Sequence, residues 1–140
     1  MSSRDEPIST REQLSELWNQ DVEIDVRVRS LVRSLDEDDA GAARQGIESL
    51  EGYIAEHLAR EEDVYLPAAL RVGPELRYAL DTIRLAHGGI RNDLRMLRQS
   101  IGAGHLAAAR TQVAAFLENF RSHEQAEERV VEQIEGLRGA

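Results

Sequence analysis

The chain has 140 residues, 41% apolar, 31% charged and 4% aromatic, a balance that fits one domain with a helical core and disfavours a β-sandwich. With no cysteine, disulfides, thiolate zinc sites and cysteine-held iron–sulfur clusters are excluded, and a net charge of −9 argues against nucleic acid or an anionic membrane as a partner. No apolar run reaches the roughly 18 residues of a membrane span, and residues 1–7 are too polar for a secretory signal, so a cytoplasmic location is expected.

Residues 1–8 read as a disordered leader and residues 9–138 as a single bundle domain. Ser9-Thr10-Arg11-Glu12 has capping-box spacing, and the first helix follows the seam Leu14, Trp18, Asp21, Asp25, Val28, Val32, Leu35 into an acidic turn over 36–41. The second helix spans about 40–66 along Ile47, Leu50, Ile54, His57, Glu61 and Val64. Pro67 then disrupts or ends it, because proline lacks the amide proton and clashes with the preceding turn. Gly73-Pro74 opens the third helix, with Pro74 suited to its first position. Its seam is Leu76, Leu80, Ile83, His87, Ile90, Leu94, Leu97 and Ile101. After the turn Gly102-Ala103-Gly104, the fourth helix carries Ala109, Val113, Phe116, Phe120, His123, Glu127, Val130, Ile134 and Leu137. Four long periodic segments joined by three short loops predict an all-α, up-down-up-down antiparallel four-helix bundle.

The chain repeats itself. His57-x-x-x-Glu61-Glu62 recurs 66 residues later as His123-x-x-x-Glu127-Glu128, and the same shift pairs Ile24 with Ile90, Leu31 with Leu97, and Asp21 with His87. A His and a Glu four apart share one helix face. Asp21, His57, Glu61, His87, His123 and Glu127 all fall on seams otherwise built from Leu, Ile, Val and Phe. The midpoints of 21/57, 57/87 and 87/123 fall in or beside the three turns, so antiparallel neighbours bring all six to one layer. A single buried histidine is more often a hydrogen-bonded core residue than a ligand. Six together are different: buried carboxylates without good partners cost several kcal/mol each, against a total stability of roughly 5–15 kcal/mol. A bound cation pair compensates that charge and accounts for the residue types.

Bundle cores with such pairs on facing helices commonly hold two metals bridged by carboxylates. Asp21, His57, His87 and His123 would be terminal donors, with Glu61 and Glu127 as bridges, leaving about two open positions on each six-coordinate ion. A nitrogen and oxygen shell without sulfur suits iron or manganese, with zinc also possible.

The doubled motif, with a single His in the third helix between its copies, resembles the hemerythrin-like (HHE cation-binding) family over residues 12–137. The resemblance implies a non-haem di-iron site in a four-helix bundle, with His57, His87 and His123 as terminal ligands and Glu61 and Glu127 as bridges. Two positions depart from the family. Its first-helix histidine is replaced by Asp21, with Asp25 as the fallback and Glu23 pointing away. Where the oxygen carriers have a second third-helix histidine, this chain has Ile83. More carboxylate makes a harder site that favours ferric iron, and peroxide or nitric oxide chemistry is expected over reversible oxygen carriage.

The remaining polar residues read more plainly. His105 is expected on the surface, and Arg91, Arg95 and Arg98 as a solvated face. Glu62 and Glu128 are expected to be solvated or to sit just behind the ligands, with Glu124 a further candidate on the Asp21 side. Trp18 reads as packing, and Gly88-Gly89 as tolerated or as opening space beside the site. Three functions fit: a redox enzyme acting on oxygen, peroxide or nitric oxide, or in iron handling; a metal- or redox-responsive sensing module; and a metal-free interaction bundle. The expected small partner is a diatomic or peroxide ligand.

Overall fold

The computed structural model describes the backbone of residues 10–139 and the side chains of residues 21–136. The expected leader, Ser9 of the capping box, and the side chains of Leu14, Trp18 and Leu137 lie outside the described residues. The fold is all helical, with no strand among the described residues. Its elements are α1 (Thr10–Asp36), α2 (Ala40–Arg60), a π-helical turn (Glu61–Tyr65), α3 (Leu66–Val72), a 3-10 turn (Pro74–Leu76), α4 (Arg77–Gly102) and α5 (Leu106–Gly139). Helix α2, the π turn and α3 form one continuous run, so the chain makes four long helical passes. No helix among the described residues is long and apolar enough to cross a membrane.

The turns close by local chemistry. Asp38 takes a positive φ of 52°, a conformation that the short polar Asp side chain tolerates. Asp39 caps α2, its Oδ1 accepting the Ala42 N–H at 3.0 Å, so Gly41 belongs to the helix and not to the expected turn. At the end of α4, Gly104 takes φ 79° while His105 N–H donates to Ser100 O at 2.8 Å, satisfying carbonyls that the helix end leaves open.

The expectation that the second helix reaches 66 on a regular seam is corrected at Glu61. Pro67 has no N–H for the carbonyl of Asp63, and its ring would collide with that carbonyl in an α-helix. The chain answers by widening one turn, and Leu66 N–H donates to Glu61 O, five residues back. The extra residue rotates everything after it. Tyr65 is buried and Val64 only half-buried, the reverse of the expected seam, and Pro67 lies inside the run at the start of α3 instead of ending it. Likewise Pro74 begins the 3-10 turn, and α4 proper starts at Arg77.

Helix α1 packs on α2, α2 on α4, α4 on α5, and α5 back on α1. Residue numbers that rise along one helix fall along the next. Asp21 meets His57 while Arg27 reaches Ser49 and covers the Tyr53 ring. Arg91 meets Glu62 while Arg98 meets Glu51, and Asn119 donates to Asp93 while the rings of His123 and His87 touch. Gly46 allows α1 and α2 to approach closely, since a Cβ there would lie 3.3 Å from Leu31 Cδ1.

The core is two apolar clusters with a polar layer between them. The larger contains Ile24, Leu31, Leu50, Leu58, Ile90, Leu97, Phe116 and Phe120; the smaller contains Ala69, Leu76, Leu80, Ile83, Val130 and Ile134. The gaps between these sets on α2–α3, α4 and α5 are the stretches that carry His57 and Glu61, His87, and His123 and Glu127. Each cluster shields one side of that layer from water.

Candidate metal centre

The six expected residues converge. Asp21 (9% exposed), His57 (1%), Glu61 (1%), His87 (0%), His123 (4%) and Glu127 (6%) are the buried polar or charged side chains among the described residues. Glu61 occupies the middle. Its Oε1 lies 3.2 Å from His57 Nε2, and its Oε2 lies 2.6 Å from His87 Nε2 and 3.3 Å from His123 Nε2. Glu127 Oε1 stands 2.8 Å from His123 Nε2, and Asp21 Oδ1 stands 3.4 Å from His57 Nε2. Two groups of three donors follow, each with its ligand atoms within 4.8 Å of one another: Glu61 with His87 and His123, and His57 with Glu61 and Glu127. They share Glu61. Asp21 borders the second group through His57, whereas Asp25 is half-buried on the rim and pairs with Arg29 at 2.5 Å.

These short distances do not satisfy the hydrogen-bonding groups. Asp21 Oδ1, Glu61 Oε1, His87 Nε2 and both Glu127 oxygens are buried without an aligned hydrogen bond among the described residues. Burying such groups unsatisfied is expensive. His123 Nε2 and Glu61 Oε2 share an aligned hydrogen bond at 3.3 Å, and the remaining donor atoms, facing one another across a shared space, are what a cation would satisfy. The residue types agree, since imidazole and carboxylate without sulfur form a shell for iron, manganese or zinc.

Electrostatics of the metal-free layer point the same way. Burial pushes the Asp21 carboxyl up to about 8, aided by the negative charge of Glu124 and Glu61. Burial also raises Glu127 well above the usual carboxylate range. Glu61 is the opposite case: burial works against its ionisation, yet the imidazoles of His123, His57 and His87 outweigh it and hold its carboxyl far below the usual range. His123 is pulled down by burial but raised to about 10 overall by Glu127 and Glu61. Burial and neighbouring charge thus favour the protonated forms of His123, Asp21 and Glu127. A metal would displace such protons on binding, because its ligands must be deprotonated.

Behind the donors Glu62 sits in one of its two expected places, with a partner, Arg91, that the sequence reading missed. Glu62 Oε1 is 3.4 Å from His87 Nδ1, while Arg91 grips the same carboxylate, Nη2 to Oε2 at 2.9 Å. The Arg91 guanidinium is the main reason that the Glu62 carboxyl is lowered. Arg91 is therefore tied to the site and is not merely part of a solvated face. Spacing contained the signal: Arg91 lies one turn after His87, on the side that faces α2. The other secondary candidates sit outside the layer. Glu124 is half-buried, Glu128 and His105 are exposed, and added Cβ atoms at Gly88 and Gly89 would meet nothing within 4 Å.

A small apolar cavity of about 30 Å³ abuts the layer, lined by Glu61 and Glu127 on one side and by Tyr65, Leu80, Ile83 and Val130 on the other. Ile83 forms part of its wall. That volume holds one water-sized or diatomic molecule. Compared with protein-family models, curated proteins and solved structures, the chain has no match.

Proposed function

We propose that the chain is a hemerythrin-like, up-down-up-down antiparallel bundle that holds two iron ions and acts in oxygen, peroxide, nitric oxide or iron handling. One observation carries the reading: two buried triads of donors share Glu61, and most of their ligand atoms lack aligned hydrogen bonds. The opposed numbering of the interhelical contacts supports the up-down arrangement. In this proposal His87 and His123 belong to one ion and His57 with Asp21 to the other, while Glu61 and Glu127 span both. Iron held there supplies redox chemistry toward dioxygen, peroxide or nitric oxide.

The protein's own residues set the conditions for that chemistry. Glu61 is poised as an anion before any metal arrives, so one bridging carboxylate is ready-made. Burial disfavours the charged forms of Asp21 and Glu127 that ligation requires, so affinity should rise with pH. The cavity walled by Tyr65, Leu80 and Ile83 gives the Glu61–Glu127 side an apolar space of about 30 Å³, the size of a diatomic molecule.

Metal analysis and an optical spectrum of protein loaded anaerobically with ferrous iron test the proposal. Two ions per chain are expected. His57→Ala should cost mainly one of them, and Asp21→Ala should weaken that same ion while Asp25→Ala leaves both. A wild-type chain that retains one ion or none would overturn the di-iron reading.

A further inference from the structure

Between α1 and α5 an open cleft of about 680 Å³ leads from the surface to Asp21. Its carboxylates are graded by depth: Glu128 is exposed, Glu124 is half-buried, and Asp21, at the floor, is nine-tenths buried. Asp21 Oδ1 has no aligned hydrogen bond and stands 3.4 Å from His57 Nε2, inside the polar layer. Two arginines also line the cleft, but Arg29 is committed to Asp25 at 2.5 Å, leaving Arg121 alone against the other three carboxylates.

We infer that this cleft is the port through which a hydrated divalent cation reaches the centre, captured by Glu128 and Glu124 and passed by Asp21 to His57. The inference rests on the metal-binding reading above. A buried cluster sealed between two apolar halves needs a path along which an ion can exchange water for ligands in steps. Carboxylates at successive depths supply that path, and a cleft in which carboxylates outnumber arginines raises the local cation concentration and its on-rate. A second cleft that reaches a donor runs between α4 and α5 to His123, lined by residues such as Thr82, Ile83, Ala86 and Gly89, while the cavity beside Glu61 and Glu127, of about 30 Å³, is too small for a hydrated ion. The single carboxylate of the second cleft, Asp93, already accepts from Asn119 Nδ2 at 3.0 Å. That cleft offers a cation nothing on the way in.

The test is stopped-flow loading of the metal-free protein with cobalt(II) alone, followed by visible absorbance, at several ionic strengths. The double variant Glu124→Gln/Glu128→Gln should load about tenfold more slowly than wild type, with a flatter salt dependence, and reach the same cobalt stoichiometry and final spectrum. Val22→Trp should also slow loading, by obstructing the same cleft at a residue that is 66% exposed, without changing its charge. The control Glu118→Gln/Glu132→Gln, two exposed positions on α5 outside the cleft, should load like wild type. Equal rates for the cleft variants and the control would overturn the port. So would a lower cobalt stoichiometry in the Glu124/Glu128 variant, which would make those residues permanent ligands. A wild-type protein that takes up no cobalt would overturn the metal reading, and the port with it.

Discussion

The two copies of the His-x-x-x-Glu-Glu motif are the same in sequence and opposite in charge behaviour. On α2 and its π turn, Glu61 is approached by three imidazoles at 2.6–3.3 Å and is held ionised. On α5, which runs as a regular helix through its copy, Glu127 is approached by one imidazole at 2.8 Å, and burial raises its carboxyl well above the usual range. The following residues differ as well: Glu62 is tied to His87 and Arg91, whereas Glu128 lies exposed in the α1–α5 cleft. A local motif thus fixes which groups enter the core. The neighbours contributed by other helices decide what state those groups adopt, because ionisation in a low-dielectric interior follows the nearest charges and the water excluded.

The sharpest way to break this comparison is to neutralise each glutamate in the metal-free protein. Glu61→Gln removes the buried, strongly ionised carboxylate from among the three imidazoles and should cost about 3–5 kcal/mol, as breaking a buried ion pair does. Glu127→Gln replaces a carboxyl whose charged form burial already disfavours by a near-isostere and should cost under about 1 kcal/mol. Urea denaturation in chelator measures both, and equal losses would show that the two sites do not differ in charge.

A pH effect should come next. Asp21 is raised from 3.8 to about 8, so its protonated form is favoured by the fold and a penalty accumulates as pH rises through that window. His123 is raised from 6.5 to about 10, so its contribution is fully present below 6.5 and lost as pH climbs through 10. Both signs agree. The metal-free protein should lose stability steadily from pH 6 to pH 10, and bound metal should flatten that decline because the ligands are already deprotonated. Denaturation midpoints at pH 6, 8 and 10, with and without metal, check this.

The smallest contrast concerns the second glutamate of each copy. Glu62→Gln should weaken metal binding at equilibrium by about 10–100-fold, since it loosens the carboxylate that orients His87. Glu128→Gln should leave equilibrium affinity unchanged, because the residue touches no donor. Chelator competition distinguishes them, and an unchanged affinity in Glu62→Gln would remove the orienting role.

Particular residues show how far the sequence could be read. Helix count and approximate ends followed from period and punctuation, and the convergence of Asp21, His57, Glu61, His87, His123 and Glu127 followed from their seam positions and matched depths about the turns. Val64 and Tyr65 exchanged places because Pro67 can be met either by ending a helix or by widening a turn. Local pattern does not choose between those responses; packing of Tyr65 beside the polar layer does. Arg91 is exposed, as expected, but its tie to Glu62 was not legible because that partner lies across an interface, on α2's continuation.

What the sequence by itself determined was the set of four amphipathic helices and the identity of the six polar residues in the core. That information is carried by spacing along one chain, where helical periodicity turns residue number directly into direction. Only the tertiary structure decided that Glu61 sits at the centre and Glu127 to one side, that Arg91 reaches His87 through Glu62, and that the gap between α1 and α5 stays open above Asp21. Those outcomes depend on distances of a few ångströms between residues far apart in sequence, where burial and charge compete at close range and no periodicity records the result.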